Sequence, residues 1–347
     1  PPCIPSWRPL PCEISAVTDR IPASKDSNGG LISVVIPSYN SSTTIERCIQ
    51  SVLDTGDRSV EVIVVDDAST DRSPDLVEVI AAANPESIKV LCQQKNGGPA
   101  KARNAGAREA RGEFLFFLDS DTAMLPDALA NFRKRIAFAD AVVGIYDVRP
   151  LNKGWVPLYK ALLNNYFFTR KGVTNYEVFD SARAGIRAKV FHAVGGFNET
   201  LSWGMDYENE ELGYRLCENF KLVLDPTIAV KHEFPGLKKL THTYFFRVAL
   251  WMEILLVRRK FESGGVTSAE TGLCSASLLG AAILAPLPFL QITETGNWVS
   301  AVAALLLFAF YLYGYCGLFA FVLKREAWFL LPAITLNIYF TLVISLG

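Results

Sequence analysis

The chain has 347 residues with 34 basic and 35 acidic side chains, a net charge of −1. That balance argues against nucleic acid as a partner, because a nucleic-acid binder carries a basic excess. Only Glu294, Lys324, Arg325 and Glu326 are charged beyond Glu270, so a wholly soluble globular protein is excluded.

Residues 1–30 hold Pro, Ser, Gly and charges but no apolar stretch of the signal-peptide kind, and form a tail without an assigned role. Seven cysteines, two of them Cys3 and Cys12 in that tail, show no Cys-x-x-Cys spacing. They are expected as free thiols in a reducing compartment.

Residues 31–37 are a β-branched run that predicts a buried strand leading into Ser38-Tyr39-Asn40. Thr43 and Glu46 have capping-box spacing, which predicts a helix through about Leu53. Residues 60–66 predict a second strand, and Ser73-Pro74 an N-cap and N1 proline for the next helix. Residues 88–91 predict a third strand, 100–110 a helix and 113–118 a fourth strand. Strands this apolar, separated by helices, imply an α/β fold with a parallel sheet covered on both faces. In such sheets ligands sit at the carboxyl ends of the strands.

Those ends are polar: Tyr39-Asn40, then Asp66-Asp67 with Asp71, then Asp119-Ser120-Asp121. Carboxylates gathered on one rim repel each other, and a bound cation or a basic group relieves that. Hard-cation ligation by Asp119 and Asp121, bridging to phosphates, is the economical explanation. An Asp-x-Asp alone also suits a solvated turn, and its place after a wholly apolar strand sharpens the reading.

Five blocks now combine. They are Val34-Val35-Ile36-Pro37-Ser38-Tyr39-Asn40, Val64-Val65-Asp66-Asp67-Ala68-Ser69-Thr70-Asp71, and Asn96-Gly97-Gly98-Pro99-Ala100-Lys101-Ala102-Arg103-Asn104 with Gly112-Glu113. Phe116-Phe117-Leu118-Asp119-Ser120-Asp121 follows, then Val194-Gly195-Gly196-Phe197-Asn198-Glu199 ahead of Glu208-Asn209-Glu210-Glu211-Leu212-Gly213-Tyr214-Arg215. In this order, over roughly residues 31–235, the chain resembles the family 2 glycosyltransferases of the GT-A nucleotide-diphospho-sugar transferase fold. The resemblance implies an inverting, metal-dependent transfer from a nucleotide-sugar. It implies that Pro37 and Tyr39 lie at the nucleotide and that Asp67 accepts from the base imide, which favours uracil. Asp67 also suits a turn cap. Gly98 would let backbone approach the nucleotide, Arg103 would place charge near the diphosphate, and Asp119 would reach ribose or a metal-bound water. Mn²⁺ or Mg²⁺ would be held by Asp121 with Asp119, and His232 is similar to the histidine that often completes such a site; a lone His is as often structural. Trp203 would form a sugar or acceptor platform, or belong to the core.

The base is where the pattern departs. The family commonly has Asp where this chain has Asn209, and an amide cannot take a proton. Three accounts stay open. Glu208 or Glu210 serves instead; a polyprenyl phosphate acceptor arrives already ionised; or the chain binds a nucleotide-sugar without transferring it. Acids in a helix's first turn also stabilise the helix.

Residues 271–293, 295–323 and 327–347 are uncharged and long enough to cross ~30 Å of hydrocarbon. Pro286 and Pro288 predict a kink or early exit in the first. Arg258-Arg259-Lys260 and Lys324-Arg325, against a loop at 292–297 without Lys or Arg, place the N-terminal domain in the cytoplasm and the chain's end on the far side. Residues 244–256 suit an interfacial helix or one packed on the soluble domain. The expected organisation is a tail (1–30), a transferase domain (31–240), an interfacial helix (241–263) and three membrane helices (270–347). The expected partners are a nucleotide-sugar donor, a lipid-linked or membrane-associated acceptor and the bilayer, with a bacterial inner membrane as the setting. No Gln-x-x-Arg-Trp segment of the processive kind occurs, which favours single-sugar transfer.

Overall fold

The computed structural model describes residues 29–201, 207–258, 268–290 and 294–347. They fall into two compact units, the first drawn from the described residues within 29–145 and 171–231 and the second from those within 146–170 and 232–347.

The first unit is built on a nine-stranded sheet. Its strands are β1 (Ile32–Ser38), β2 (Val60–Asp66), β3 (Ile88–Cys92), β4 (Phe114–Leu118), β5 (Thr122–Met124), β6 (Ala141–Tyr146), β7 (Thr174–Asn175), β8 (Arg183–Arg187) and β9 (Leu222–His232). The order is β3-β2-β1-β4-β8-β6-β9-β5, with β7 paired to β9. The four strands read from sequence are parallel, Val34 lying between Val62 and Phe116. Beyond β4 the sheet turns antiparallel, at β4–β8 and β6–β8, so the expected parallel sheet is a mixed one. Pro37 pairs with Val65 on β2, but β4 leaves β1 at Val35. The missing proline N–H therefore falls past the last β4 pair.

Helices α1 (Ile45–Leu53), α2 (Ser73–Ala83), α3 (Pro99–Glu109), α4 (Ala128–Ile136), α6 (Ala188–Ala193) and α7 (Glu208–Asn219) belong to this unit. The rings of Phe114 and Phe116 meet Phe132 of α4 edge to face, at 6.0 and 5.3 Å. Phe117 packs against Phe179, Phe191 and Phe197. Two expected caps are not formed. Thr44, not Thr43, precedes α1 and makes no side-chain cap; Ser41 O instead accepts the N–H groups of Thr44 and Ile45, each at 2.9 Å. Arg72 precedes α2, because the Ser73 hydroxyl is committed to Asp71.

The second unit holds α5 (Trp155–Thr169), α8 (Leu237–Arg258), α9 (Ala269–Leu284), α10 (Glu294–Arg325) and α11 (Leu330–Leu346). Three stretches are long and apolar enough to cross a membrane: Ala269–Leu290, Gly296–Arg325 and Ala327–Leu346. Helix α9 opens on a true capping box, Ser268 with Thr271. It stops before Pro286 and gives way to a 3₁₀ turn at Leu287–Leu290, as a proline pair requires. Helix α5 lies in sequence between strands of the sheet, yet Tyr159, Leu162, Leu163 and Phe167 share one apolar cluster with Tyr311, Tyr315, Leu318 and Phe340. A helix apolar on nearly every side is stable only when surrounded.

Candidate functional site

The rim forms where β1, β2 and β4 run out into loops. Asn40 has φ 49° and Ala68 φ 59°, the described non-glycine residues in left-handed conformation. Both lie on this rim, where over-determined contacts hold such strain. The Asn40 side-chain oxygen accepts from Thr70 N (2.8 Å) and Asp71 N (3.3 Å), and its backbone N–H donates to Ser69 Oγ at 2.9 Å. Asp71 in turn accepts from Ser42 N at 3.1 Å and from Ser73 N at 2.9 Å. Burial opposes the Asp71 charge, but the hydroxyl and N–H donors of Ser73 and Ser42 prevail and lower its pKa to about 2. The first two loops are thereby tied together, with Tyr39, 43% exposed, standing on the rim.

Asp67 is buried and accepts the backbone N–H groups of Gly97 and Gly98, both at 2.8 Å. It thus holds the turn that opens α3. Gly98 has φ 85°, a region that costs a side chain dearly. The cap role open in the sequence is therefore present, and each carboxylate oxygen retains a second lone pair.

Arg103, from the first turns of α3, is no exposed helix charge: it is 4% exposed. It donates to Asp119 Oδ1 at 2.8 Å and to Glu208 Oε1 at 3.3 Å, with its guanidinium 5.5 Å from the Phe197 ring. Burial disfavours the charge, yet Asp119 and then Glu208 outweigh it and raise the Arg103 pKa. One cation thus joins the aspartate at the end of β4 to the first residue of α7. Beneath them lies buried Cys48, its Sγ 3.4 Å from Asp119 O. Burial first, then the charges of Asp121 and Asp119, push the Cys48 thiol pKa up. Among the described residues no three His, Cys, Asp or Glu side chains gather as a metal-ligand set.

The remaining expected residues are placed as follows. Asn209 is occupied structurally: its side-chain oxygen accepts from Ser181 N at 3.3 Å and its carbonyl from Phe179 N at 3.0 Å. Glu210 is buried. His232 ends β9 in the second unit, with its ring 4.9 Å from Tyr146 and 4.5 Å from Phe234. Trp203 lies outside the described residues.

Other residues of the same blocks brace the site. Glu211 binds Arg215 through two bonds of 2.7 and 2.6 Å, and Arg215 reaches on to Gly196 O at 2.7 Å and Val194 O. Gly196, at φ 68°, takes a backbone conformation that favours glycine. Asn104 clamps Phe197 through both backbone groups, at 2.8 and 2.9 Å, and bonds Glu199. The Arg-Asn pair at 103–104 thus fastens α3 both to the aspartate rim and to the Gly-Gly turn. Its adjacency in sequence was the available signal.

Residues 33–195 match the family model for glycosyl transferase family 2. The succinoglycan biosynthesis protein ExoO of Rhizobium meliloti (strain 1021) is 40% identical over 114 residues, 33% of this chain and 32% of that protein. The hyaluronan synthase of Pasteurella multocida is 29% identical over 202 residues, 57% of this chain and 19% of that protein. The chain thus spans about a third or less of the length of these curated relatives. Among solved structures, the mannosyltransferase PcManGT from Pyrobaculum calidifontis, in complex with GDP-Man and Mn²⁺, aligns with a TM-score of 0.56 at 19% identity, over 89% of this chain and 87% of that one. GalNAc-T7 with UDP, GalNAc and Mn²⁺ aligns with a TM-score of 0.52 at 22% identity, over 61% and 44%.

Proposed function

We propose, from the premise that residues 33–195 are a family 2 glycosyltransferase domain in a GT-A fold, that the chain transfers one sugar from a nucleotide-sugar, with inversion, to a membrane-associated acceptor. The observation that carries this is the Asp119–Arg103–Glu208 bridge, which ties the carboxylate rim to the acids opening α7. Tyr39 and Asp67 flank the nucleobase, with UDP-sugars favoured, and the Asp67-held Gly97-Gly98 turn brings backbone close to the nucleotide. Asp121, with Asp119, would hold Mn²⁺ or Mg²⁺. Two carboxylates are hard donors suited to such an ion. The bound ion supplies Lewis-acid neutralisation of the departing nucleoside diphosphate. Support for a metal comes from the two Mn²⁺-bound fold relatives.

Arg103 positions Glu208 through a charge-assisted bond, leaving Glu208 and the buried Glu210 as the acids near the α7 start. Asn209 supplies position and not proton transfer, since its amide oxygen is held by Ser181. An acceptor hydroxyl would give its proton to Glu208 or Glu210, whereas a polyprenyl phosphate needs no base. By the basic residues flanking the membrane segments, the transferase domain faces the cytoplasm.

The test is nucleotide release from UDP-, GDP- and dTDP-sugars with Mn²⁺ or Mg²⁺, with and without polyprenyl phosphate. Stimulation by the lipid phosphate identifies an ionised acceptor. Turnover without it identifies a hydroxyl acceptor. Tight donor binding without release under either condition overturns transfer in favour of a silent nucleotide-sugar-binding subunit. Asn209→Asp adds a check: with an ionised acceptor its rate stays within about threefold, and a rise of ~10-fold or more marks a reaction that needs a base.

A further inference from the structure

Adjacent residues of α3 serve different partners. Arg103 bridges Asp119 and Glu208. Asn104, also buried, turns instead to the segment after α6. Its amide donates to Phe197 O at 2.8 Å and accepts from Phe197 N at 2.9 Å. The ring of that same Phe197 lies 5.5 Å from the Arg103 guanidinium and 5.4 Å from the ring of Phe117, two residues before Asp119.

Helix α7 grips the same segment from its own side. Arg215 donates to Gly196 O at 2.7 Å and to Val194 O, and it holds Glu211 through bonds of 2.7 and 2.6 Å. So many bonds from one planar guanidinium fix its orientation. The turn between the two helices is stiff. The N–H groups of Val194, Gly195 and Gly196 bond back to α6 at 3.1, 3.0 and 3.0 Å, and that of Phe197 is taken by Asn104. A Cβ on Gly196, whose φ is 68°, would lie 2.7 Å from Asn104 Oδ1.

Glu208, Glu211 and Arg215 lie on one stripe of α7, at helical spacing. Asn209 and Gly213 lie on another, well over a quarter-turn round the axis. That second stripe packs on the segment before β8. Asn209 O accepts from Phe179 N at 3.0 Å, and Gly213 leaves no room for a side chain against the backbone of residues 177–179. A helix held along one stripe is free to roll about it, and the ties of the other stripe stop the roll. Of these the Arg103–Glu208 bond is long, at 3.3 Å, and would yield first. The stronger tie runs from Arg215 through the turn to Asn104. It therefore sets the direction in which Glu208 leaves α7.

We propose that Asn104 and Arg215 are positioning residues. Through the Gly195-Gly196-Phe197 turn they couple α3 to α7 and fix the roll of α7, which sets Glu208 against Arg103 and the Asp119 rim. The effect on turnover rests on the reading of that rim as a transfer site; the coupling itself does not. Because Glu208 also holds Arg103, the effect is expected with a hydroxyl or a phosphate acceptor alike.

The test compares the full chain in detergent as wild type, Asn104→Ala, Arg215→Lys and the double variant. Lysine keeps a charge for Glu211 but not the fork that reaches two carbonyls, and position 104 has no bond of its own to α7. Two readouts are taken: backbone hydrogen exchange over residues 211–216, which needs no substrate, and kcat with donor KM. Asn104→Ala should speed exchange in that part of α7 by at least ~10-fold, because the helix loses a tertiary anchor. Each single variant should lower kcat by at least ~10-fold with donor KM within about threefold of wild type, the mark of lost positioning. The double variant should fall no more than about threefold below the worse single, because both act through one turn. Faster exchange confined to residues 194–199 in Asn104→Ala overturns the proposal. So does an Arg215→Lys variant that turns over as wild type does, or effects that multiply in the double variant. If Asn104→Ala does not fold, Arg215→Lys decides by the same two readouts. A wild type that turns over no donor removes the transfer reading, and exchange then decides the coupling by itself.

Discussion

The two units solve the problem of fixing polar groups in opposite ways. On the sheet rim almost every placement is directional and charge-assisted: Asp67 on two N–H groups, Asp71 on three donors, and Arg103 between two carboxylates. Among the helices of the second unit, position comes mainly from aromatic packing, with the Tyr159–Asn337–Tyr311 bonds buried inside it. Water beside the rim can compete for any bond that is lost there, but it cannot reach the inside of the helix cluster. A deletion on the rim should therefore be felt first in chemistry, and a deletion in the cluster first in stability.

The largest effect tests the rim. On the proposed role of Asp121 in holding an ion against the leaving diphosphate, Asp121→Ala should lower nucleotide release by at least ~10³-fold; activity within tenfold of wild type would remove Asp121 from that role. Arg103→Ala strands Asp119 and Glu208 against each other. Breaking a buried pair of this kind costs roughly 3 kcal/mol, to be read from denaturant midpoints, and Arg103→Lys should recover only part of it because a point charge cannot span both carboxylates. If Ala and Lys behave alike, the bridge is not what holds α7.

Asn337→Leu probes the second unit. It leaves the Tyr159 and Tyr311 hydroxyls without their shared amide, for a loss of about 1–2 kcal/mol in detergent unfolding, with donor turnover by the solubilised enzyme little changed. A large fall in turnover without loss of stability would contradict the contrast between the units.

The smallest effect is pH-dependent. The Asp71 pKa lies below its unfolded value, so its contribution is present above about pH 4 and is lost as pH falls toward 2. Allowing for solvent screening, Asp71→Asn should cost about 1 kcal/mol at neutral pH. The two proteins should converge in stability by about pH 2; a difference independent of pH would exclude a carboxylate origin.

The four parallel strands, their helices and the rim aspartates were legible because buried parallel strands are continuous apolar runs and the residues after them must be polar. Residues 60–66, expected as a strand, are β2. The antiparallel half of the sheet was not legible, since β6 and β8 acquire their direction only from partners distant in sequence. Capping chemistry misled for a related reason: Ser73 has the composition of a cap, but Asp71 and Ser41 claim its hydroxyl. Helix α5 gave no sign of its allegiance, because an apolar helix reads the same whether a sheet or other helices surround it.

By itself the sequence determined the resemblance to a glycosyltransferase family, the carboxylates of the rim, the departure at Asn209 and the apolar character of the last helices. All of these depend on residue type and local spacing. Tertiary structure alone decided that Arg103 joins Asp119 to Glu208 and that Asn209 is bound to Ser181. It likewise placed α5 among the C-terminal helices. Each of these is a meeting of side chains far apart in sequence, and periodicity carries no record of which distant partner a buried charge or an apolar face will find.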